Sequence, residues 1–213
     1  MSRLRITEIF YSLQGETRTV GLPTVFIRLT GCPLRCNYCD SAYAFQGGNW
    51  IEIDDILTQV KNYGAHYVTV TGGEPLAQKN CIDLLQSLCD EGYEVSLETS
   101  GALDVSAVDP RVIKVIDIKT PGSLEVEKNR LENLDHILPH DQIKFVICNR
   151  EDYLWSKDML AQYQLTELCE VLFSPSAQQQ DAGELANWIL QDQLMVRLQI
   201  QLHKYLWGDV PGR

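Results

Sequence analysis

The sequence predicts an α/β fold, an open, partial barrel of the TIM type, on three observations. Strand-like and helix-like segments alternate along most of the chain, and such units imply parallel strands joined by right-handed crossovers. Six or seven units are present, short of the eight that close a full barrel. Every polar motif falls where a strand meets the loop after it, the edge at which parallel barrels gather their chemistry.

An extended segment covers residues 4–12, and Thr24-Val25-Phe26-Ile27-Arg28-Leu29 reads as a strand entering a cysteine-rich loop. Residues 54–63 carry Ile56, Leu57, Val60 and Tyr63 at helical spacing, with acidic residues in the first turn and Gly64 as the stop. Residues 66–71 have the character of a buried strand. A helix over 81–91 closes at Gly92, and a strand over 93–98 follows it. Strands are also expected at 112–118, 142–147, 169–173 and 196–201, with helices at 151–163 and 183–190. Residues 123–139 are polar and interrupted, fitting a short helix or an abbreviated crossover, and Gln178-Gln179-Gln180 reads as a loop. No repeat or linker divides the chain, so residues 1–213 are expected to form a single domain.

A hydrophobic content of 45% in 213 residues supplies one sizeable core. The formal charge of −11 argues against a general binder of nucleic acid or membrane surfaces, both of which repel an acidic face. No apolar run approaches the ~20 residues of a bilayer span, and the first residues lack a signal peptide's apolar core, so a cytoplasmic location is expected. Seven cysteines, an odd number, make a disulfide framework unlikely to be the design. Cys81, Cys89, Cys148 and Cys169 sit in apolar stretches as small core residues.

The other three form Cys32-Pro33-Leu34-Arg35-Cys36-Asn37-Tyr38-Cys39, a CxxxCxxC cluster of soft ligands. A closed zinc site needs four protein ligands, and no histidine lies near this loop. Three thiolates on a four-iron, four-sulfur cluster leave one iron corner free for an exogenous chelate.

Further motifs would share the same mouth. In Thr71-Gly72-Gly73-Glu74-Pro75 the glycines let backbone approach a ligand, although such a sequence is equally an ordinary turn. Glu98-Thr99-Ser100-Gly101 and Asp117-Ile118-Lys119-Thr120 end later strands and offer partners for hydroxyls and carboxylates, or merely a capped turn and a solvated pair. Leu13-Gln14-Gly15-Glu16 presents an amide and a carboxylate suited to the edge of a pterin or guanine ring, against a default of a surface turn. Arg28 suits a bidentate grip on a carboxylate, or a structural ion pair. Asp40-Ser41 places hard oxygens beside the cysteines, as magnesium would need. His203 and Lys204 follow the last strand, and apolar Tyr205, Leu206 and Trp207 suggest that the tail docks.

CxxxCxxC with Tyr38 before its last cysteine, followed by a Gly-Gly-Glu, resembles the radical S-adenosylmethionine superfamily. With Leu13-Gln14-Gly15-Glu16, Arg28, Asp40-Ser41, Glu98-Thr99-Ser100-Gly101 and Gln201-Leu202-His203-Lys204-Tyr205-Leu206, the chain is similar nearly throughout to the 7-carboxy-7-deazaguanine synthases. That resemblance implies a radical S-adenosylmethionine core and a magnesium-assisted lyase. It would contract 6-carboxy-5,6,7,8-tetrahydropterin to 7-carboxy-7-deazaguanine with loss of ammonia, on the route to queuosine in transfer RNA.

By the same resemblance, Cys32, Cys36 and Cys39 would bind a four-iron, four-sulfur cluster. Tyr38, Gly73, Glu74, Ser100, Asp117, Lys119 and Thr120 would contact S-adenosylmethionine, with Ser174, Pro175, Ser176 and Ala177 a looser match. Leu13, Gln14, Gly15, Glu16, Arg28, Thr71 and Arg213 would hold the pterin, Glu16 as a catalytic residue, and Ser41 would ligate magnesium where many members carry threonine. A homodimer and a flavodoxin- or ferredoxin-type electron donor are implied, with no direct nucleic-acid or membrane contact. A glycyl-radical activating enzyme would share the cysteines and short barrel without needing the Gln14/Glu16 pair or Arg28. A non-catalytic iron–sulfur or zinc scaffold is the alternative from another class.

Overall fold

The computed structural model describes residues 2–177, 179–210 and 212. Its strands are β1 (Arg3–Leu13), β2 (Pro23–Leu29), β3 (Asn49–Glu52), β4 (Tyr67–Gly72), β5 (Glu94–Thr99), β6 (Ile113–Asp117), β7 (Gln142–Ile147), β8 (Glu170–Pro175) and β9 (Arg197–Leu198). All nine lie in one sheet, ordered β3-β1-β2-β4-β5-β6-β7-β8-β9. From β2 onward every neighbouring pair is parallel. The end strands β3 and β9 do not pair, so the barrel is open, as the unit count predicts.

Two strands depart from the expected pattern. β1 runs antiparallel to β2, with a register shift between Ile6 and Glu8, and β3 pairs antiparallel with β1 on its other side. The connection over residues 14–22 is too short for a parallel crossover, which needs about a dozen residues or more. β3 escaped the sequence because it is four residues long and half of it is exposed.

Among the described residues there are six α-helices, the first five between strands and the sixth after β9. α1 (Ile53–Tyr63) buries Ile53, Ile56 and Val60 and stops at Gly64, whose φ of 66° is left-handed and whose N–H reaches Lys61 O. α2 (Cys81–Asp90) turns Cys81, Leu84, Leu85 and Leu88 inward. α3 (Arg150–Tyr163) starts where the Asn149 side chain accepts from Asp152 N at 2.9 Å. α4 (Leu165–Leu168) is a single turn, and α5 (Ala182–Gln191) is capped by Asp181 through Glu184 N at 2.8 Å. α6 (Leu202–Trp207) closes the chain. Residues 123–139 prove to be an abbreviated crossover, with 3-10 turns at Pro121–Ser123, Val126–Lys128 and Leu131–His136.

Val68, Val70, Val95, Leu97, Ile143, Phe145, Val171 and Phe173 are all buried in the central strands. Each such side chain contributes about 1.5–3 kcal/mol relative to exposure. Phe145 and Phe173 meet edge to face at 5.6 Å. The Lys114 ammonium and Asp141 carboxylate pair at 2.8 Å, both almost fully buried. No helix among the described residues is long and apolar enough to cross a membrane.

Candidate active site

The ends of β2, β4, β5, β6, β7 and β8 open into one cavity of about 550 Å³. Its wall includes Cys32, Cys36 and Cys39, all free thiols and all half-buried. Burial pushes the Cys32 thiol up and the Cys36 thiol up to about 11, so deprotonation there needs a cation or metal in place. Among the described residues no three His, Cys, Asp or Glu side chains close in on a single ion. A cluster does not require that, because it spreads its thiolates over separate iron corners.

The paired glycines serve the protein's own packing first. A β-carbon on Gly72 would lie 2.9 Å from Leu29 N, and one on Gly73 would lie 2.7 Å from Cys32 Cβ, below the 3.0 Å that real contacts respect. Gly73 N donates to Leu29 O at 3.2 Å and Glu74 N to Gly31 O at 2.8 Å. The strand end is thereby fastened against the cysteine loop, with Thr71, Gly72 and Gly73 still on the cavity wall.

Glu74 departs from its expected place. Its carboxylate is fully buried behind the wall, where Oε1 accepts from Leu76 N at 3.0 Å and Thr99 Oγ1 at 3.0 Å. Oε2 accepts from Ser100 N at 2.7 Å and also from the Ser100 hydroxyl. With its lone pairs filled, it ties the β4 loop to the β5 loop instead of facing the cavity. Thr120 is corrected likewise. Its side chain is fully buried and its hydroxyl donates to Val146 O at 2.9 Å.

Asp117 and Lys119 pair at 2.8 Å on the wall. Burial alone would depress Lys119, but Asp117 and Cys36 outweigh it and hold the ammonium charged. Among the described residues Asp117 Oδ1 is buried without a hydrogen-bond partner, as is the Tyr38 hydroxyl, whose ring lies 5.8 Å from Lys119 Nζ. These are orphaned polar atoms beside the cysteines, and a ribose hydroxyl would satisfy them. Ser100, Ser174, Pro175, Ser176 and Ala177 complete that side.

Leu13, Gln14, Gly15, Glu16 and Arg28 also line the cavity. Arg28 Nε donates to Glu8 Oε1 at 2.7 Å, and the guanidinium lies between Phe10 and Tyr43 at 5.8 and 5.7 Å. Burial opposes its charge, and Tyr43 and Glu8 more than restore it. Glu8 thus occupies one edge and leaves the terminal nitrogens without a protein acceptor among the described residues.

Gln14 Nε2 donates to Thr69 Oγ1 at 3.0 Å and Glu98 Oε1 at 3.3 Å, and Thr71 Oγ1 donates to Glu98 Oε2 at 3.1 Å. Glu16 Oε2 meets Lys144 Nζ at 3.1 Å, while its Oε1 accepts from Gln201 Nε2 at 2.9 Å. The two carboxyls are driven apart. Burial raises both, but Lys144 reverses the effect at Glu16, whereas Glu98 stays above its ordinary range with Glu16's charge nearby. Lys144 itself is held charged against burial, first by Glu16. The sequence offered Lys144 only as one cation inside a buried strand, with the alternation that places it on the same face as cavity-lining Val146.

The tail seats on the mouth by polar contacts. Asp40 Oδ2 accepts from Lys204 Nζ at 2.8 Å and Gln201 Nε2 at 3.0 Å, and its Oδ1 accepts from Ser41 Oγ at 3.0 Å. Leu202 N donates to Gly15 O at 3.1 Å, and a β-carbon on Gly15 would collide with His203 Nδ1. Of the apolar side chains expected to dock, Tyr205 is 80% exposed and Leu206 44%. Arg213 lies outside the described residues.

A model of the Radical SAM superfamily matches residues 26–117. The chain is 42% identical to the 7-carboxy-7-deazaguanine synthase of Koribacter versatilis, covering 96% of this chain and 97% of the relative. It is 44% identical to that of Chlorobaculum tepidum, covering 96% and 94%. The crystal structure of QueE from Escherichia coli superposes with a TM-score of 0.77 at 24% identity, over 93% of this chain and 94% of that one. Identity sustained across almost the full length, on a shared open barrel, places the chain in the 7-carboxy-7-deazaguanine synthase family of radical S-adenosylmethionine enzymes.

Proposed function

We propose that the chain, a radical S-adenosylmethionine lyase by family, converts 6-carboxy-5,6,7,8-tetrahydropterin to 7-carboxy-7-deazaguanine with loss of ammonia, on the route to queuosine. The observation that carries this is one cavity joining three thiols, orphaned Asp117 Oδ1, a half-free Arg28 and the Glu16–Lys144 pair. Cys32, Cys36 and Cys39 would hold three corners of a four-iron, four-sulfur cluster and leave the fourth to the amino and carboxylate groups of S-adenosylmethionine. When bound and reduced, that pair supplies the radical that removes one hydrogen atom from the substrate.

The chain's own side chains bind and orient. Gly73, Ser100, Asp117 and Lys119 would take the methionyl and ribose groups, with Tyr38 and residues 174–177 around the adenine. Arg28 would grip the substrate carboxylate with its free nitrogens. Gln14, Gly15, Glu16, Leu13 and Thr71 would frame the ring, with Glu16 as its anionic acceptor. Ser41 Oγ and the Asp40 carboxylate put hard oxygens on the wall for magnesium, which keeps several waters and needs few protein ligands. Residues 1–213 act as one domain, in the cytoplasm and as a homodimer, reduced by a flavodoxin- or ferredoxin-type donor. The net charge of −11 supports a role away from nucleic acid and membranes.

The test is anaerobic reconstitution with iron and sulfide, reduction, and incubation with the carboxylated tetrahydropterin, S-adenosylmethionine and magnesium. Mass analysis should find the deazapurine carboxylate. Protein that carries the cluster and binds S-adenosylmethionine yet leaves the pterin intact would overturn the proposal.

A further inference from the structure

From the geometry around Lys144 we infer a second substrate-reading residue, one that donates to the ring carbonyl while Glu16 accepts from the adjoining ring N–H and exocyclic amine. The inference rests on the pterin assignment above and deepens it. Lys144 lies in the middle of β7, is 9% exposed and stands on the cavity wall. Among the described residues its ammonium reaches one hydrogen-bond acceptor, Glu16 Oε2 at 3.1 Å. An ammonium carries three donors, so two remain for the cavity. Leaving such donors unmet in a buried place is costly, and a ligand oxygen would satisfy them.

The neighbouring cations are otherwise engaged. Lys119 is tied to Asp117 over Tyr38 on the cysteine side, Arg28 is backed by Glu8, and Lys204 holds Asp40. Glu16 Oε1 takes one hydrogen bond from Gln201 and Oε2 one from Lys144, which leaves each oxygen a further lone pair. Side by side, Glu16 and Lys144 therefore present acceptor, acceptor, donor. A 2-amino-4-oxopyrimidine edge presents amine, ring N–H and carbonyl, the complement in the same order. Replacing its carbonyl by a second amine also removes the ring N–H, which would set donor against donor at Lys144 and acceptor against acceptor at Glu16, mismatches that cost more than a lost contact.

The experiment uses reconstituted holoenzyme, the carboxylated tetrahydropterin and its 2,4-diamino analogue, with wild type, Lys144→Met, Lys144→Gln and Glu16→Gln. Equilibrium binding by calorimetry, KM and kcat are read together, with iron content and Tm as folding controls. Wild type should bind the 4-oxo compound at least about 10-fold more tightly than the diamino compound, since one hydrogen bond to a charged group is worth that much and two positions differ. Lys144→Met should weaken binding of the 4-oxo compound by about 10-fold or more, narrow the discrimination by about the same factor while the mismatch at Glu16 persists, and raise KM more than it lowers kcat. Combining it with Glu16→Gln should cost less than the two single effects together.

Intact discrimination in a folded Lys144 variant overturns the inference, as does wild-type protein that binds both compounds equally. If both Lys144 variants misfold, the wild-type comparison alone decides. Wild-type turnover to the deazapurine with unchanged binding in Lys144→Met removes only the Lys144 assignment. Loaded wild type that neither binds nor consumes the pterin removes the assignment of substrate as well.

Discussion

Gly73→Ala is the sharpest perturbation of the site, because it adds a single carbon where the end of β4 is fastened against the cysteine loop. That carbon would stand 2.7 Å from Cys32 Cβ and 2.8 Å from Gly31 C, where real contacts do not fall below 3.0 Å. Two backbones must therefore part, and neither can swing aside as a flexible side chain would. The Glu74 N to Gly31 O bond at 2.8 Å and the Gly73 N to Leu29 O bond at 3.2 Å resist the movement. Overpacking of this kind costs about 1–3 kcal/mol, a fall in Tm of about 4–8 °C at the middle of that range. The displaced atom belongs to Cys32, proposed above to hold the cluster, and a misplacement approaching 1 Å can cost about 100-fold in rate. The assays are anaerobic thermal unfolding, iron per chain after reconstitution, and S-adenosylmethionine affinity. A variant with wild-type iron, affinity and Tm would refute the view that the glycine pair exists to let β4 close on the cysteine loop.

Three other perturbations separate the roles of neighbouring groups. Arg28→Ala should raise the KM for the pterin by about 10- to 100-fold while iron content stays normal, and unchanged turnover would detach Arg28 from the substrate carboxylate. Glu74→Ala removes the acceptor shared by Ser100 N, Thr99 Oγ1 and Leu76 N. It should destabilise the fold by about 3 kcal/mol in chemical denaturation, and an unchanged midpoint would contradict the clamp. Asp40 is held below its ordinary carboxylate range, with burial opposing and Lys204 and Gln201 prevailing. Its folded pKa being the lower one, its stabilisation is present above the unfolded value of about 3.9 and is lost as pH falls toward the folded value. The Tm difference between wild type and Asp40→Asn should hold steady above about pH 5 and shrink below about pH 4; a constant gap from pH 6 to pH 3 would exclude the ion pair as its source.

What the sequence made legible was local. Three cysteines within eight residues, a double glycine ending a strand and an arginine inside an apolar strand announce themselves by spacing, and all reach the cavity. The parallel strands were equally readable, because β4 and β7 are short runs rich in β-branched and aromatic residues, almost wholly buried. Contacts across distant strands were not readable. Glu16 and Lys144 are 128 residues apart, Glu16 and Gln201 are 185 apart, and nothing in either segment names the other. Glu74 matched its motif in identity, yet its carboxylate spends its lone pairs on Thr99 and Ser100, a choice made only when β4 and β5 pair. The tail illustrates the same limit. Tyr205 looked like an anchor by composition, whereas Gln201 and Lys204 anchor the helix through Asp40.

The cavity also shows how an acidic protein can receive an anionic substrate. A formal charge of −11 repels a carboxylate at long range, but beyond about 10 Å that field is largely screened at physiological salt. Inside the mouth the local inventory decides, and there Arg28, Lys119, Lys144 and Lys204 stand against Glu16, Asp40, Glu98, Asp117 and Asp209. The balance is uneven from place to place. Asp117, Asp40 and Glu16 each have a lysine within hydrogen-bond reach, whereas Glu98 is held by Gln14 and Thr71 and lies above its ordinary range. Arg28 alone joins its carboxylate, Glu8, from a residue that does not line the cavity, so its charge is turned inward without a matching anion on the wall. A substrate carboxylate would complete that count, and this local imbalance is what supports the proposed grip by Arg28 over one by the paired lysines.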